Sequence, residues 1–410
     1  MKTTTIDRRL AGLMIIGLML AGLPAASGVA PQKIETVEGI RVVHNEKGGL
    51  WGETPKVSLE LVRRIGDVDT EDEHLAFTYP SDVAVDGEGN IYILDTGNAR
   101  IQKFGPDGKY LATIGRKGQG PGEFMMPDSF DFDKDGNLVV NDAGQRRVQK
   151  IIGGGRDVKS FLVQDEFVYG LRCLNSGDCV VKLSTYSFPR PGQKAKTAGE
   201  MRLFRILGPN GAVKNEFGVL TDFGESLTTA SGNAGEFAVD AGDGLVVSFN
   251  TQNKIDKYGP DGQLLWRADR PLDYGTEVRK KGKIERSSRG ISMSDPEMNA
   301  CSVDIAVDGR GRIWVVTYDR QLKKEEKVQT SIMSVGGPGG IESVSYKTEG
   351  NTDVRATDAF KLEIFDGDGV LLGAVPLAHF VDAIRIFGDS LFLIDRERGV
   401  TVYQYKIVEK

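Results

Sequence analysis

YPSDVAVDGEGNIYILDTGNARIQKF, Tyr79–Phe104, is repeated by MPDSFDFDKDGNLVVNDAGQRRVQKI, Met126–Ile151. Pro80 matches Pro127, Asp86 matches Asp133, Gly89 matches Gly136, Asn90 matches Asn137, Asp95 matches Asp142 and Arg100 matches Arg147. Each pair is 47 positions apart, with no gap. A fixed period of this length marks a repeat array, a solenoid or a propeller. The content of each copy decides which. VAV, DGEGN and IYIL read as strand, tight turn and strand, because alternating β-branched and aromatic residues suit a pleated surface. RIQKF, GPDG and KYLATI follow as a third strand, a second turn and a fourth strand. In Pro-Asp-Gly the proline pre-sets φ and the glycine tolerates φ > 0. One repeat is therefore a four-stranded antiparallel sheet, the blade of a propeller. Its strands are named a to d from the channel outward.

The second copy with its lead-in, GEFMMPDSFDFDKDGNLVVNDAGQRRVQKI, resembles an NHL repeat. The resemblance rests on its Pro, its Asp-rich a–b turn, the Asp before its b–c loop and the Arg opening strand c. It implies the six-bladed propellers of exported bacterial proteins. It implies little about activity, since propellers host many functions.

Working outward, blade 3 runs from about Phe167 to Gly218, with GPNG as its c–d turn. Blade 4 is AVDAGDGLVVSFNTQNKIDKYGPDG, in which Asp240 and Gly262 each stand 154 positions beyond Asp86 and Gly108. Blade 5 opens with IAVDGRGRIWVV and resumes at FKLEIF. At the C-terminus DAIRIFGDS, LFLIDRERG and VTVYQYKI read as a, b and c without a d. SLELVRRIGD, Ser58–Asp67, reads as a d strand alone. The expected fold is all-β, a six-bladed β-propeller closed by N-terminal strand 59–65 pairing with C-terminal strand 400–407. Such closure leaves no open sheet edge. The expected divisions are a signal peptide at 1–28, an extension at 29–56 with a strand at IRVVH, and the propeller at 57–410. Insertions 184–200, 268–300 and 317–358 all fall in b–c or d–a loops, which share one face of a propeller. Function concentrates on loops held by a rigid scaffold.

Lys2, Arg8 and Arg9 followed by LAGLMIIGLMLAGL and AAS read as a cleaved export signal, too short for an ordinary membrane span. The expected location is periplasmic or extracellular, with no membrane span after cleavage. The whole chain has net charge −6. The leader carries +2 (Lys2, Arg8, Arg9 and Asp7), leaving −8 without it. An acidic exported protein is a poor partner for nucleic acid.

Three histidines, His44, His74 and His379, form no HxH or HxxxH. Zinc chemistry of the amidating-lyase type needs several channel histidines. Asp131, Asp133, Asp135, Gly136 and Asp142 have the spacing of a calcium loop. The blade repeat already accounts for Asp133, Gly136 and Asp142, and blade 1 has Ala84 at the position of Asp131. No cofactor is expected, structural calcium being the alternative. Asp95 and Asp142, with Arg100 and Arg147, read as braces of the b–c corner. Cys173 and Cys179 flank a turn. A five-residue loop sets them opposite each other, as a cross-hairpin disulfide requires, and a four-residue loop sets them on opposite faces. A disulfide and a packed thiol pair both fit. VRKKGKIERSSR, Val278–Arg289, holds six basic residues; it reads as a solvated loop or as charge for an anionic partner. GGPGG, Gly336–Gly340, lacks the lysine of a phosphate loop.

A propeller channel is expected to be narrow, with small or apolar side chains turned inward, so selective contacts should come from the loops. Asn98, Gln145, Gln252, Tyr318, Arg320 and Arg398 follow strand b in their blades and are the expected binding residues. The expected function is an exported, non-catalytic, monomeric propeller that binds a small polar ligand or a protein partner at its loop-rich mouth. The alternative is a metal-dependent hydrolase or lyase resembling gluconolactonase-type propellers, for which Asn98, Gln145, Gln252 and Asp319 are available but no carboxylate set converges.

Overall fold

The computed structural model describes residues 32–410 except 164–166, 187–193, 195, 288, 289, 338 and 339. The leader reading falls outside the described residues. Six antiparallel sheets are arranged as a six-bladed propeller. Blade 1 is Pro80–Val85, Ile91–Asp95, Arg100–Phe104 and Tyr110–Ile114, and blade 2 is Pro127–Phe132, Leu138–Asp142, Arg147–Ile152 and Asp157–Leu162. Blade 3 is Val168–Cys173, Cys179–Leu183, Arg202–Leu207 and Val213–Val219. Blade 4 is Gly235–Val239, Leu245–Phe249, Ile255–Tyr258 and Leu264–Ala268, and blade 5 is Ser302–Val307, Ile313–Tyr318, Phe360–Phe365 and Leu371–Pro376.

Blade 6 takes Ala383–Phe387, Ser390–Asp395 and Thr401–Glu409 from the C-terminus and Val57–Ile65 from the N-terminus. The two ends pair antiparallel from Val57 opposite Glu409 to Ile65 opposite Val402, as the sequence anticipated.

Blades pack face to face, so strand b is covered on both sides. Ile91–Asp95, Leu138–Asp142 and Leu245–Phe249 are buried at every position. That is why these strands are apolar runs rather than strict alternations. Between blades 1 and 2, Leu94 and Ile101 meet Phe130 and Val140 in one apolar layer. Removing a fully buried ring such as Phe130 costs about 3–5 kcal/mol.

The a–b turns are self-contained. Asp86 accepts the amides of Glu88 at 3.0 Å and Asn90 at 2.9 Å. Asp133 does the same for Asp135 and Asn137, both at 2.9 Å. Gly89 and Gly136 sit at φ 81° and 76°, where a side chain is strained. Asp133 also pairs with Lys150 at 2.5 Å. Asp142 lies at the other end of strand b, so the residues with calcium-loop spacing are spread over both faces of the ring.

The strand at Ile40–His44 is present, and its partners are a structural finding. It lies parallel to Leu264–Ala268 and carries Lys33–Val37 outside it, making blade 4 six-stranded. A 3-10 turn at Gly49–Trp51 sets the Trp51 ring against Gly373 of blade 5. A helix at Ser226–Gly232, capped by Glu225, joins blades 3 and 4 and was not anticipated. Two insertions form hairpins, Lys283–Ser287 with Gly290–Ser294 and Val328–Gly337 with Gly340–Gly350. All three insertions leave from one face, termed the loop face; the a–b turns lie on the turn face.

The channel corrects the sequence expectation, because it is lined by charge. The inner edge of each strand a has no further strand to pair with, and acidic side chains take up its amides. Asp82 accepts from Phe130 N of the next blade at 3.2 Å, Asp128 from Gly170 N at 2.8 Å, Asp131 from Cys173 N at 3.2 Å and Asp304 from Ile384 N at 2.8 Å. These carboxylates stitch neighbouring blades where buried backbone would otherwise lack partners.

Candidate ligand cavity at the loop-face mouth

Midway along the channel, Arg172 of blade 3 reaches Asp82 of blade 1 at 2.8 Å. Arg385 of blade 6 stands 3.8 Å from Asp82 and 3.6 Å from Asp131. Burial works against the Arg172 charge, but Asp82, Asp131 and Asp304 outweigh it and raise its pKa. Burial and the neighbouring Arg172 lower that of Arg385. Side chains at this waist border a cavity of about 280 Å³ toward the turn face and one of about 580 Å³ toward the loop face.

The larger cavity draws on all six blades. Tyr79, Asp128, Tyr169, Glu236, Tyr318 and Asp382 line it, together with Lys182, Asn250 and Arg396. Tyr79 has φ 61°, uncommon for a non-glycine residue and disfavoured before proline. Its ring stacks on Tyr346 of the long blade-5 hairpin, with centroids 5.4 Å apart. That hairpin leans over the mouth: Thr330 N donates to Glu397 of blade 6 at 3.1 Å, and Ile332 enters the cavity wall.

The polar groups differ in how much of their bonding capacity is used. Asp128 accepts from Gly170 N, from Asn141 Nδ2 at 2.6 Å and from Ser129 Oγ. Lys182 is held by Glu236 at 2.7 Å and by the Gly235 carbonyl. Asp382 accepts only the Arg396 amide, at 2.8 Å, among the described hydrogen bonds, although a carboxylate has about four acceptor sites. Asn250 Oδ1 and Arg396 Nε are buried and find no partner among the described residues. Burial pushes the carboxyls of Asp128, Asp304 and Asp382 up to about 6. Among the described residues no group of three or more His, Cys, Asp or Glu is placed to hold a metal ion.

Of the six residues expected from sequence, Tyr318 lines this cavity. The other five spend polar groups on their own or an adjoining loop. Asn98 donates to Asp95 at 2.7 Å and Gln145 to Asp142 at 2.6 Å. Gln252 donates to the Gly232 carbonyl at 2.7 Å. Arg320 pairs with Glu326 at 2.7 Å and with Asp358. Arg398 donates to the Glu326 carbonyl at 2.7 Å and lies over the Phe380 ring. The Asp95 and Asp142 corners are braces of one design: Asp95 accepts Thr78 N and Arg100 Nε, while Asp142 accepts Met125 N and Met126 N. Of the six basic residues in 278–289, Arg279 is tied to Glu297 and Asn299. The missed cavity residues did leave a signal. Glu236 follows Asp82 by 154 positions, the offset of the repeat, so a polar site recurs in strand a.

These features define a class: a six-bladed propeller closed by its own N-terminus, plugged at the waist and open to a polar cavity on its loop face. A family profile described as a 6-bladed beta-propeller, DUF5128, matches residues 67–150, which span blade 1 and blade 2 as far as its third strand. No curated protein matches the sequence. A solved member of the DUF4221 family from Bacteroides vulgatus is 11% identical with a TM-score of 0.54, over 87% of this chain and 99% of its own. A Bacteroides fragilis protein assigned as exported is 12% identical with a TM-score of 0.53, over 90% and 99%. A Xanthomonas campestris gluconolactonase aligns at 13% identity and a TM-score of 0.47, over 85% and 99%, which says nothing of the chemistry here. At these identities the likeness is one of fold.

Proposed function

We propose that this protein is an exported, monomeric, non-catalytic propeller of NHL-like repeats that binds a small polar ligand in its loop-face cavity. The observation that carries this reading is the set of unspent polar groups among the residues lining one cavity, Asp382, Asn250 Oδ1 and Arg396 Nε, in a lining that also holds Tyr79 and Tyr318. A concave site with a few convergent polar groups and apolar ring faces is what small-molecule recognition needs. Acceptors, a guanidinium and ring faces together suit a ligand that both donates and accepts hydrogen bonds. Asp82, Asp128 and Asp304 of the cavity wall accept backbone amides, which supports binding over metal-assisted chemistry. Asn98, Gln145, Gln252, Arg320 and Arg398 then serve the site by fixing its loops. Export rests on the leader at 1–28.

Equilibrium binding tests this with a panel of neutral monosaccharides, amino sugars, free amino acids and short peptides. At least one probe should bind. Asp382→Asn and Tyr79→Ala should each weaken it at least tenfold, while Glu88→Ala on the turn face leaves it unchanged. Equal loss in Glu88→Ala puts the site on the wrong face, and binding by none of the classes overturns the proposal.

A further inference from the structure

We propose that Cys173 and Cys179 are a modification site, closing a disulfide across the a–b hairpin of blade 3. Register carries the argument. The two residues are direct partners in the antiparallel ladder. Their Sγ atoms lie 3.4 Å apart, both as thiols in this structure. The loop between them is the five-residue stretch 174–178, and it is closed by the Leu174 amide donating to the Asp178 carbonyl at 2.9 Å. Residues 174 and 178 thus hold the hydrogen-bonded position. The cysteines hold the neighbouring non-hydrogen-bonded one, where Cα atoms approach to about 4.5 Å and side chains are closest. The Cys173 amide agrees, since it donates to Asp131 of blade 2 instead. A disulfide accepts Cα separations of about 4.4–6.8 Å, so rotation of the side chains suffices and the backbone need not move.

The reaction needs an oxidant, and a small-molecule disulfide supplies it. Cys173 is half-buried and borders the turn-face cavity, whereas Cys179 is buried. Cys173 therefore attacks first as thiolate, forming a mixed disulfide and expelling one thiolate of the oxidant. Cys179, deprotonated, attacks the Cys173 sulfur and expels the second. Both protons end on the released thiols, and the oxidant is reduced as the pair is oxidised. The hydrogen bond to Cys179 and burial hold the Cys173 thiol well above its ordinary pKa, so the first step is slow at neutral pH and faster in mild alkali. The bridge fixes the strand that presents Arg172 at the waist. Cys301 is buried in the loop-face connection before blade 5 and takes no part.

The test equilibrates the folded chain at pH 8.5 in glutathione buffers of graded redox potential, then quenches with acid and alkylates in denaturant. Mass spectrometry should find a form lacking two hydrogens in which Cys301 alone is alkylated and Cys173 and Cys179 are linked. That form should melt about 3 °C above the reduced one, because the loop is short. Cys301→Ser should behave like the parent, and Cys179→Ser should give no internal link, with Cys173 ending as free thiol in reducing buffer and as the mixed disulfide with glutathione in oxidising buffer. Alkylation of every cysteine across the whole range, three in the parent and two in Cys301→Ser, overturns the proposal. So does a link that includes Cys301.

Discussion

The two faces of the ring use acidic residues for opposite purposes. On the turn face Asp86 and Asp133 bind amides within their own five-residue turns. On the loop face Asp95 and Asp142 bind amides about seventeen residues upstream, in the segment that enters the blade. The first kind of contact is local and part-buried; the second is fully buried and fixes how one blade hands over to the next. An acidic residue in a repeat therefore has no single role. Its distance along the chain from its donor decides how much it stabilises.

Closure is the extreme case of a distant contact, so breaking it should have the largest effect. Deleting residues 57–65 exposes the edge of Thr401–Glu409 and should lower the melting midpoint by more than about 10 °C. An unchanged melting curve would show that the ring does not depend on its seam. Next come the two kinds of aspartate. Asp142→Ala strands buried amides and should cost about 3 kcal/mol or more in urea unfolding, against about 1 kcal/mol for Asp133→Ala. Equal costs would erase the contrast between the faces.

The mouth should respond to pH with a smaller, signed effect. Burial raises the Asp382 carboxyl from 3.8 to about 6, so the folded state holds its proton more tightly than the unfolded chain between those values. The contribution of this group to stability is greatest below about pH 4 and falls as pH rises through about 6. Asp382→Asn lacks that fall. Its stability relative to the parent should improve by about 1–2 kcal/mol between pH 4 and 7; a pH-independent difference would count against burial of the charge. The smallest effect belongs to the N-terminal hairpin. The bond to Asp269 raises the pKa of His44, so its stabilisation is present below about 6.5 and fades as pH rises past the folded value. His44→Ala should cost less than about 1 kcal/mol at pH 5.5 and nothing at pH 9, because the pair is partly exposed. Loss at both values would point to packing instead.

The blade, the count of six, the seam and the face that carries the insertions are all legible along the chain. Each of these is written in local spacing: the 47-residue period, the turns built on Asp and Gly, and a d strand at one end facing a missing d at the other. The corner braces are legible too, since Asp95 with Arg100 and Asp142 with Arg147 recur in register. What the channel contains is set by the closed ring. Asp82, Asp128 and Asp304 look like ordinary polar positions of a strand until six inner edges meet and their amides need acceptors. The same holds for the cavity residues. Tyr79, Asn250, Asp382 and Arg396 lie up to 317 positions apart, and no periodicity links them. Among the expected loop residues, Asn98 and Gln145 share the loop face but donate to their own aspartates, Asp95 and Asp142. Spacing along a chain fixes which face a side chain leaves from, but whether it is free to bind depends on neighbours that only the closed ring supplies.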